Sequence, residues 1–505
     1  MKSQEARVLY DYDVIVVGGG AGGATFAYAC ARAGKSVLVL ERGDRYIAES
    51  PSHDEKAMMI DKGPYDDRMV SVNGIARRLY MGGILGGGTS LYGGALIRPS
   101  EQDFQPGRYY GKRIPRSIWE WPISYADLEP HYTEVERLYG VAGCGEEDFG
   151  PLQKPARGYP GDPLPLHPLN ERLISSNRKC GLHPFRLPLA IDSSRCLRCG
   201  VCAGYVCPTG ARASAAQLLE SAMVRGQSIR VETQVEVDRL VKERGTGSTL
   251  ISVIDRATGR RFKYRARRYV LGAGAIGSSL LLLRSGLDHP MIGRNYMMHL
   301  SSIVAGIYPQ ETRADSSFIK QVGFADFYFG TKKYPHKMGL VQSLPVPGPL
   351  MAAKMSPRMP EPLRQFLRKR ILPLAGLIED LPDPANRVSL GAENKLKLTH
   401  RYAKYDLARR KHMKPLIARI LKRSGAVYCL APRLPTSEHV AHQCGTLRFG
   451  NDPAHAVLDA DCRMYANPDV FAVDGSFLPT SLGVGPGLTI MANALRVAAK
   501  VTAEL

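Results

Sequence analysis

No apolar run in the 505-residue chain is long enough to cross a bilayer. The N-terminal stretch MKSQEARVLYDYDVIVVGGG also lacks the basic start, apolar core and cleavage site of a secretory signal. The expectation is a soluble, cytoplasmic protein. Cysteine is sparse: ten residues, four of them in a single loop, which disfavours a disulfide scaffold and points to metal or redox use. Despite a net charge of +21, basic residues are not interleaved with aromatics and no recognition motif is present, so nucleic acid is not an expected partner.

What is present describes a globular protein of two or three domains, since the chain is too long for one small core. Its 51 glycines fall in clusters, as tight turns near phosphates require. Much of the positive charge lies between Lys395 and Arg423, which holds eleven Lys/Arg and one acid, Asp406. In PLRQFLRKRILPL, Leu363, Phe366, Leu367 and Ile371 fall at helical spacing beside Arg364, Arg368 and Lys369. Such stretches serve either as solvated helix faces with some interdomain packing or as docking surfaces for an anionic membrane or an acidic partner.

The stretch YDVIVVGGGAGGATFAYACARAGKSVLVLERG carries the most information. Val14 to Val17 read as a buried parallel strand. Gly18, Gly20 and Gly23 then form G-x-G-x-x-G: a tight turn, a close approach for a pyrophosphate, and a helix packed on its strand. The helix that follows presents its N-terminus to phosphate. A second strand, SVLVLE, ends at Glu41, placed to accept hydrogen bonds from ribose hydroxyls and to disfavour a phosphorylated ribose. Strand, turn, helix, strand and acid arrive in register. From this unit alone, NAD and FAD both remain open.

Three further stretches narrow the choice: YMGGILGGGTSLYGGALIRP, with a glycine-rich turn at 82–94; RRYVLGAGAIGSSLLLLRSG, with Gly272, Gly274 and Gly277; and the closing HQCGTLRFG…VFAVDGSFLPTSLGVGPGLTIMANALRVAAK. With the N-terminal fingerprint they resemble, in order and over most of the chain, the glucose–methanol–choline (GMC) family of FAD-dependent oxidoreductases. WPISYADLEPHYTEVERLYGV and EDLPDPANRVSL are similar to segments of its bacterial members.

The resemblance implies an α/β fold: a Rossmann-like FAD-binding domain built from discontinuous segments, plus an α+β substrate domain whose sheet is covered by helices. The expected division is 1–105, 215–300 and 439–505 for the FAD domain and 106–214 and 301–438 for the substrate domain. Around the cofactor the resemblance implies Gly18, Gly20, Gly23, Glu41 and Arg42 at the ADP end. It places Gly88, Thr89 and Ser90 beside the flavin, Val235 on the adenine, and Asp474 and Gly475 at the pyrophosphate. Pro486, Leu488 and Thr489 pass the isoalloxazine. Tyr92 stands nearest the position where some members carry a covalently linked His, so non-covalent FAD is expected.

Oxidising an alcohol by hydride transfer to flavin N5 requires a base for the hydroxyl proton, and neutral imidazole suits that task. The family's base is the His of H-x-x-G-T, here His442; His439 is the weaker candidate. The family's second position, an Asn or His in V-N-P-x-L-T, is Gly485 here, so one donor for the developing alkoxide is missing or comes from elsewhere. The implied activity is oxidation of a CH–OH group in a sugar, cyclitol or secondary-metabolite alcohol, with electrons passed to a carrier. Alternatives are other flavin chemistry (oxidase, desaturation, C=C reduction) or an electron-transfer flavoprotein working within a complex.

The cysteine loop, Cys196-x2-Cys199-x2-Cys202-x4-Cys207-Pro208, lies close to the bacterial ferredoxin run, with one extra residue before the last cysteine. An iron–sulfur cluster receiving electrons from FAD is one expectation. A zinc site and a reduced structural loop are the others.

Overall fold

The run Val14–Val17 is enclosed on both faces because it lies in the middle of a parallel sheet. The computed structural model describes residues 8–46, 53–243, 249–287, 289–431 and 438–505. Residues 1–7, part of the stretch read as lacking a signal, lie outside the described residues.

Three sheets organise the chain. The first has the order Arg463–Met464, Asn467–Ala472, Arg261–Leu271, Val8–Val17, Val37–Leu40, Ile229–Glu232. The four pairings from Asn467–Ala472 to Ile229–Glu232 are parallel, with Val14 opposite Val37, Val16 opposite Val270 and Val39 opposite Val231. Strands Val235–Lys242 and Thr249–Asp255 extend it as an antiparallel ribbon from Arg261–Leu271. The helices Ala21–Arg32 and Gly487–Glu504 pack together over this sheet, and both are apolar enough to be buried along most of their length.

The second sheet has six antiparallel strands, from Tyr428–Leu430 through Leu300–Ile307 and Ile371–Ile378 to Pro184–Arg186. Leu300–Ile307 alternates buried and half-buried residues, as a strand with one covered face should. The cover is the basic helix Lys404–Arg423, which turns Met413, Ile417, Ile420 and Leu421 inward. A small third sheet joins Met69–Val72 and Ile75–Arg78 to Arg387–Leu390 and Leu396–Thr399. The architecture is an α/β nucleotide-binding layer beside a helix-covered antiparallel layer, as the sequence implied.

One expectation needs correction. The apolar spacing through Ile371 suggested a continuous helix, but the helix ends at Arg368 and Ile371 begins the strand Ile371–Ile378. The apolar ILPLAGLI run enters the sheet core, and this burial outweighs the helical spacing. Leu363 and Phe366 stay exposed on the short helix Glu361–Arg368. Among the described residues no helix is long and apolar enough to cross a membrane.

Candidate active site

Gly18 has φ +96°, a conformation that side chains rarely adopt, and a Cβ there would lie 2.7 Å from the Gly272 carbonyl oxygen. A Cβ on Gly23 would collide with the Gly18 carbonyl, so helix and strand meet there at backbone distance. Beyond these two tight points the cradle opens. The nearest atom to a Cβ on Gly20 would be 3.6 Å away, and none lies within 4 Å at Gly88. The helix Ala21–Arg32 starts at Gly20 without a side-chain cap, leaving its first-turn N–H groups for an anion.

Glu41 is buried at the far side of this turn. Its Oε2 accepts from the Gly19 N–H at 2.8 Å and its Oε1 from the Gly43 N–H at 2.7 Å. Burial pushes its pKa up, while the two N–H groups pull the other way. Each oxygen keeps a second lone pair for a ribose hydroxyl. The Val235 N–H donates to the Glu41 carbonyl at 3.0 Å, so the residue expected at the adenine sits beside the one expected at the ribose. Arg42 is otherwise engaged: its guanidinium reaches Asp67 at 2.7 Å, Glu236 at 3.0 Å and Asp66 at 3.5 Å.

Thr89 and Ser90 shape the glycine-rich turn. Thr89 Oγ1 donates to the Gly86 carbonyl at 2.6 Å and accepts from the Ala215 N–H at 2.9 Å; Ser90 Oγ donates to the Leu85 carbonyl at 2.8 Å. The Tyr92 hydroxyl donates to the Ala213 carbonyl at 2.8 Å. Asp474 is a clamp. Its Oδ2 accepts from the Gly274 N–H at 2.9 Å and the Ser278 hydroxyl at 2.5 Å, and its Oδ1 accepts from the Ser476 N–H at 2.8 Å. It therefore locks the second glycine turn to the Gly475 block, and a Cβ on Gly22 of the first helix would strike the Val473 carbonyl in the same block. Open space over Gly20, an uncapped helix N-terminus and a carboxylate with spare acceptors fit the ADP half of FAD, and the open space over Gly88 lies on the turn expected beside the flavin.

The second half of the candidate site is built by one antiparallel bridge. Met297 and Cys444 pair through both N–H groups at 3.0 Å, so the residues two further along on one side and two earlier on the other, His299 and His442, face each other. Their Nδ1 atoms are 2.6 Å apart, and His299 Nε2 lies 2.8 Å from the Leu482 carbonyl oxygen. His442 adopts φ +62°, a left-handed conformation uncommon outside glycine and typical of strained functional positions. Burial holds both imidazoles below the ordinary histidine pKa, His442 well below, with His299 and Lys320 adding to the effect on His442. The nearest atoms to a Cβ on Gly485 would be His442 Nε2 at 3.5 Å and Cε1 at 3.7 Å, so the missing side chain leaves a void directly against that ring. The helix Gly487–Glu504 starts beside this void at Pro486, again without a side-chain cap; Leu488 is buried and Thr489 Oγ1 lies 3.0 Å from the Tyr132 hydroxyl.

The 482–485 loop is held from below. The Gly483 N–H donates to Tyr328 Oη at 3.1 Å, and Tyr328 donates to Asp103 at 2.5 Å. Lys337 Nζ sits 2.5 Å from Asp103 and 2.7 Å from Glu379, all three inaccessible to solvent. His439 takes no part: it stacks on Tyr80 with ring centroids 4.7 Å apart.

The cysteine loop does not assemble the expected ligand set. Among the described residues no three His, Cys, Asp or Glu side chains converge as metal donors, which corrects the iron–sulfur and zinc expectations for Cys196, Cys199, Cys202 and Cys207. The backbone organises the loop instead. Arg212 donates to the carbonyls of Cys202, Ser90 (2.6 Å) and Tyr205 (2.7 Å), and the Gly204 N–H donates to the Leu91 carbonyl at 2.7 Å. Cys202 is turned into the core, where burial pushes its thiol up to about 12, while Cys199 lies 3.7 Å from His53. A cavity of about 210 Å³ adjoins this loop, lined by Tyr46, Ser90, Cys207, Arg212 and Gln217 and separate from His442.

These features define a flavin-dependent oxidoreductase. GMC oxidoreductase family profiles match residues 12–301 and 382–494, and the chain belongs to that family. It is 29% identical to 6'''-hydroxyparomomycin C oxidase of Streptomyces lividus, over 98% of this chain and 92% of the relative. Identity to paromamine 6'-oxidase of Streptomyces fradiae is also 29%, with the same two coverages. 2-Methyl-1,2-propanediol dehydrogenase of Mycolicibacterium austroafricanum is 26% identical over 96% and 94%. The fold is shared with pyridoxine 4-oxidase from Mesorbium loti, at TM-score 0.69 and 21% identity over 97% of this chain and 99% of that one. The protein is an FAD-dependent oxidoreductase acting on CH–OH donors.

Proposed function

We propose that the protein oxidises a CH–OH group of a sugar-like or aminosugar alcohol by hydride transfer to non-covalent FAD, with His442 as the base. The observation that carries the reading is the His442–His299 pair. The Leu482 carbonyl can only accept, so His299 carries its proton on Nε2 and offers a bare Nδ1. His442 must then donate from its own Nδ1, which leaves its Nε2 unprotonated on the side of the Gly485 void. Depression of the His442 pKa keeps this nitrogen free at neutral pH. When Nε2 takes the hydroxyl proton, the new charge is shared across the 2.6 Å contact to His299, whose N–H is anchored on Leu482. FAD, when bound, accepts the hydride. Aminoglycoside alcohols are favoured by the names of the two Streptomyces relatives.

The acceptor separates two versions. The first is a dehydrogenase delivering electrons to a carrier, as one relative is named; the second is an oxidase, as two others are named. Residues 1–105, 215–300 and 439–505 form the FAD unit in this reading, and no step passes through the cysteine loop. The test is anaerobic bleaching of bound flavin by a panel of aminosugars, cyclitols and polyols, followed by peroxide measurement under air. A panel that leaves the flavin oxidised contradicts the substrate class; acid precipitation that keeps flavin in the pellet contradicts non-covalent binding.

A further inference from the structure

Gly485 leaves the reaction centre one polar side chain short. A cation comes from an unrelated part of the chain. Lys320 lies between the core residues Ile319 and Val322 and is nine-tenths buried. Its side chain crosses Gly93, at the end of the glycine-rich turn. A Cβ on Gly93 would lie 2.6 Å from Lys320 Nζ, 2.8 Å from Cδ and 3.2 Å from Cε. The glycine is what makes room for it.

The ammonium has no hydrogen-bond or carboxylate partner among the described residues. Burial lowers its pKa to about 8, with Arg212 adding to that and Cys202 opposing it. An unpaired buried ammonium is costly unless a partner arrives. The other buried lysine near the site, Lys337, is by contrast ion-paired with Asp103 and Glu379. Lys320 is also close enough to His442 to act on its charge. It therefore lies against the turn assigned to the flavin and within electrostatic reach of the imidazole assigned to the proton.

We infer that the Lys320 ammonium is the fixed positive charge of the reaction centre, held over Gly93 to face the flavin ring. The inference rests on the FAD reading above. In the oxidation the C–H carbon gives up a hydride and becomes a carbonyl carbon. The hydroxyl proton goes to His442, and the ring, with two more electrons and one more proton, is left with one negative charge. Lys320 stabilises that charge, which the neutral turn around Gly93 and the bare Gly485 do not.

Sulfite probes this without substrate, because it adds to an oxidised flavin ring and leaves it negatively charged. Wild-type protein loaded with FAD should bind sulfite, and Lys320→Met should weaken binding by about tenfold or more, the scale of one hydrogen bond to a charged group. The flavin midpoint potential should fall by about 30 mV for each tenfold loss, as expected for a two-electron couple. Unchanged sulfite affinity and potential in Lys320→Met carrying full FAD would overturn the inference. Should that variant fail to retain flavin, Gly93→Ala decides the matter, because its methyl displaces the flexible end of Lys320 and must shift both readings in the same direction. Wild-type protein without FAD would instead overturn the cofactor reading itself.

Discussion

Replacing His299 by Phe removes the acceptor for the His442 Nδ1–H while keeping a flat ring in the edge-on packing, where the two imidazole centroids are 4.8 Å apart. Two effects follow. The His442 tautomer is no longer fixed, and the imidazolium that forms on proton transfer loses its imidazole neighbour at 2.6 Å. A hydrogen bond to a charged group contributes about 1.5–3 kcal/mol. Since about 1.4 kcal/mol is a factor of ten in rate, flavin reduction at saturating substrate should slow by roughly 10- to 150-fold. His299→Asn, whose amide oxygen can replace Nδ1 as acceptor, should recover part of that loss. The assay is anaerobic stopped-flow flavin bleaching on protein with matched FAD content. A His299→Phe rate within a factor of about three of wild type, or an Asn variant as slow as Phe, would refute the pairing argument.

Three other outcomes follow from the same structure. The pH profile of kcat/KM should stay flat through neutrality on its acid side and fall only below about pH 6.5, because the depressed His442 pKa keeps the base neutral until the pH passes below it; an acid limb centred above 7 would contradict this. Lys337→Met should cost about 3–5 kcal/mol in chemical denaturation, because Asp103 and Glu379 are left buried without their cation; a loss under about 1 kcal/mol would show that the ion pairs do not hold the 482–485 loop. Protein prepared without oxygen should contain FAD but no stoichiometric iron and acid-labile sulfide, since Cys202 faces the core and the loop is tied by its carbonyls; both elements at stoichiometry would restore the cluster.

The nucleotide half was legible because its chemistry is local. Strand, Gly18 turn, helix and Glu41 lie within about thirty residues, and each step is forced by backbone geometry. The short motif around His442 singled that residue out. His299 was not: it is 143 positions away in the chain, and only the Met297–Cys444 bridge makes it a neighbour. Lys320 was hidden for a similar reason, as one lysine in a core-facing segment whose role depends on the absence of a side chain at Gly93. The cysteine spacing misled because spacing fixes proximity along the chain but not the direction of each thiol. Arg212, outside the cysteine run, decides how that loop folds. Arg42 likewise carried a charge whose partners, Asp66, Asp67 and Glu236, are mostly distant in sequence.

Everything proposed for the chemistry turns on His442 as the group that takes the hydroxyl proton. The most direct measurement compares wild-type protein and His442→Ala in anaerobic flavin reduction by an alcohol that bleaches the wild type. The variant should keep its flavin spectrum and FAD content, with reduction slowed by roughly 10²-fold or more. A His442→Ala variant that reduces its flavin at the wild-type rate would contradict that role.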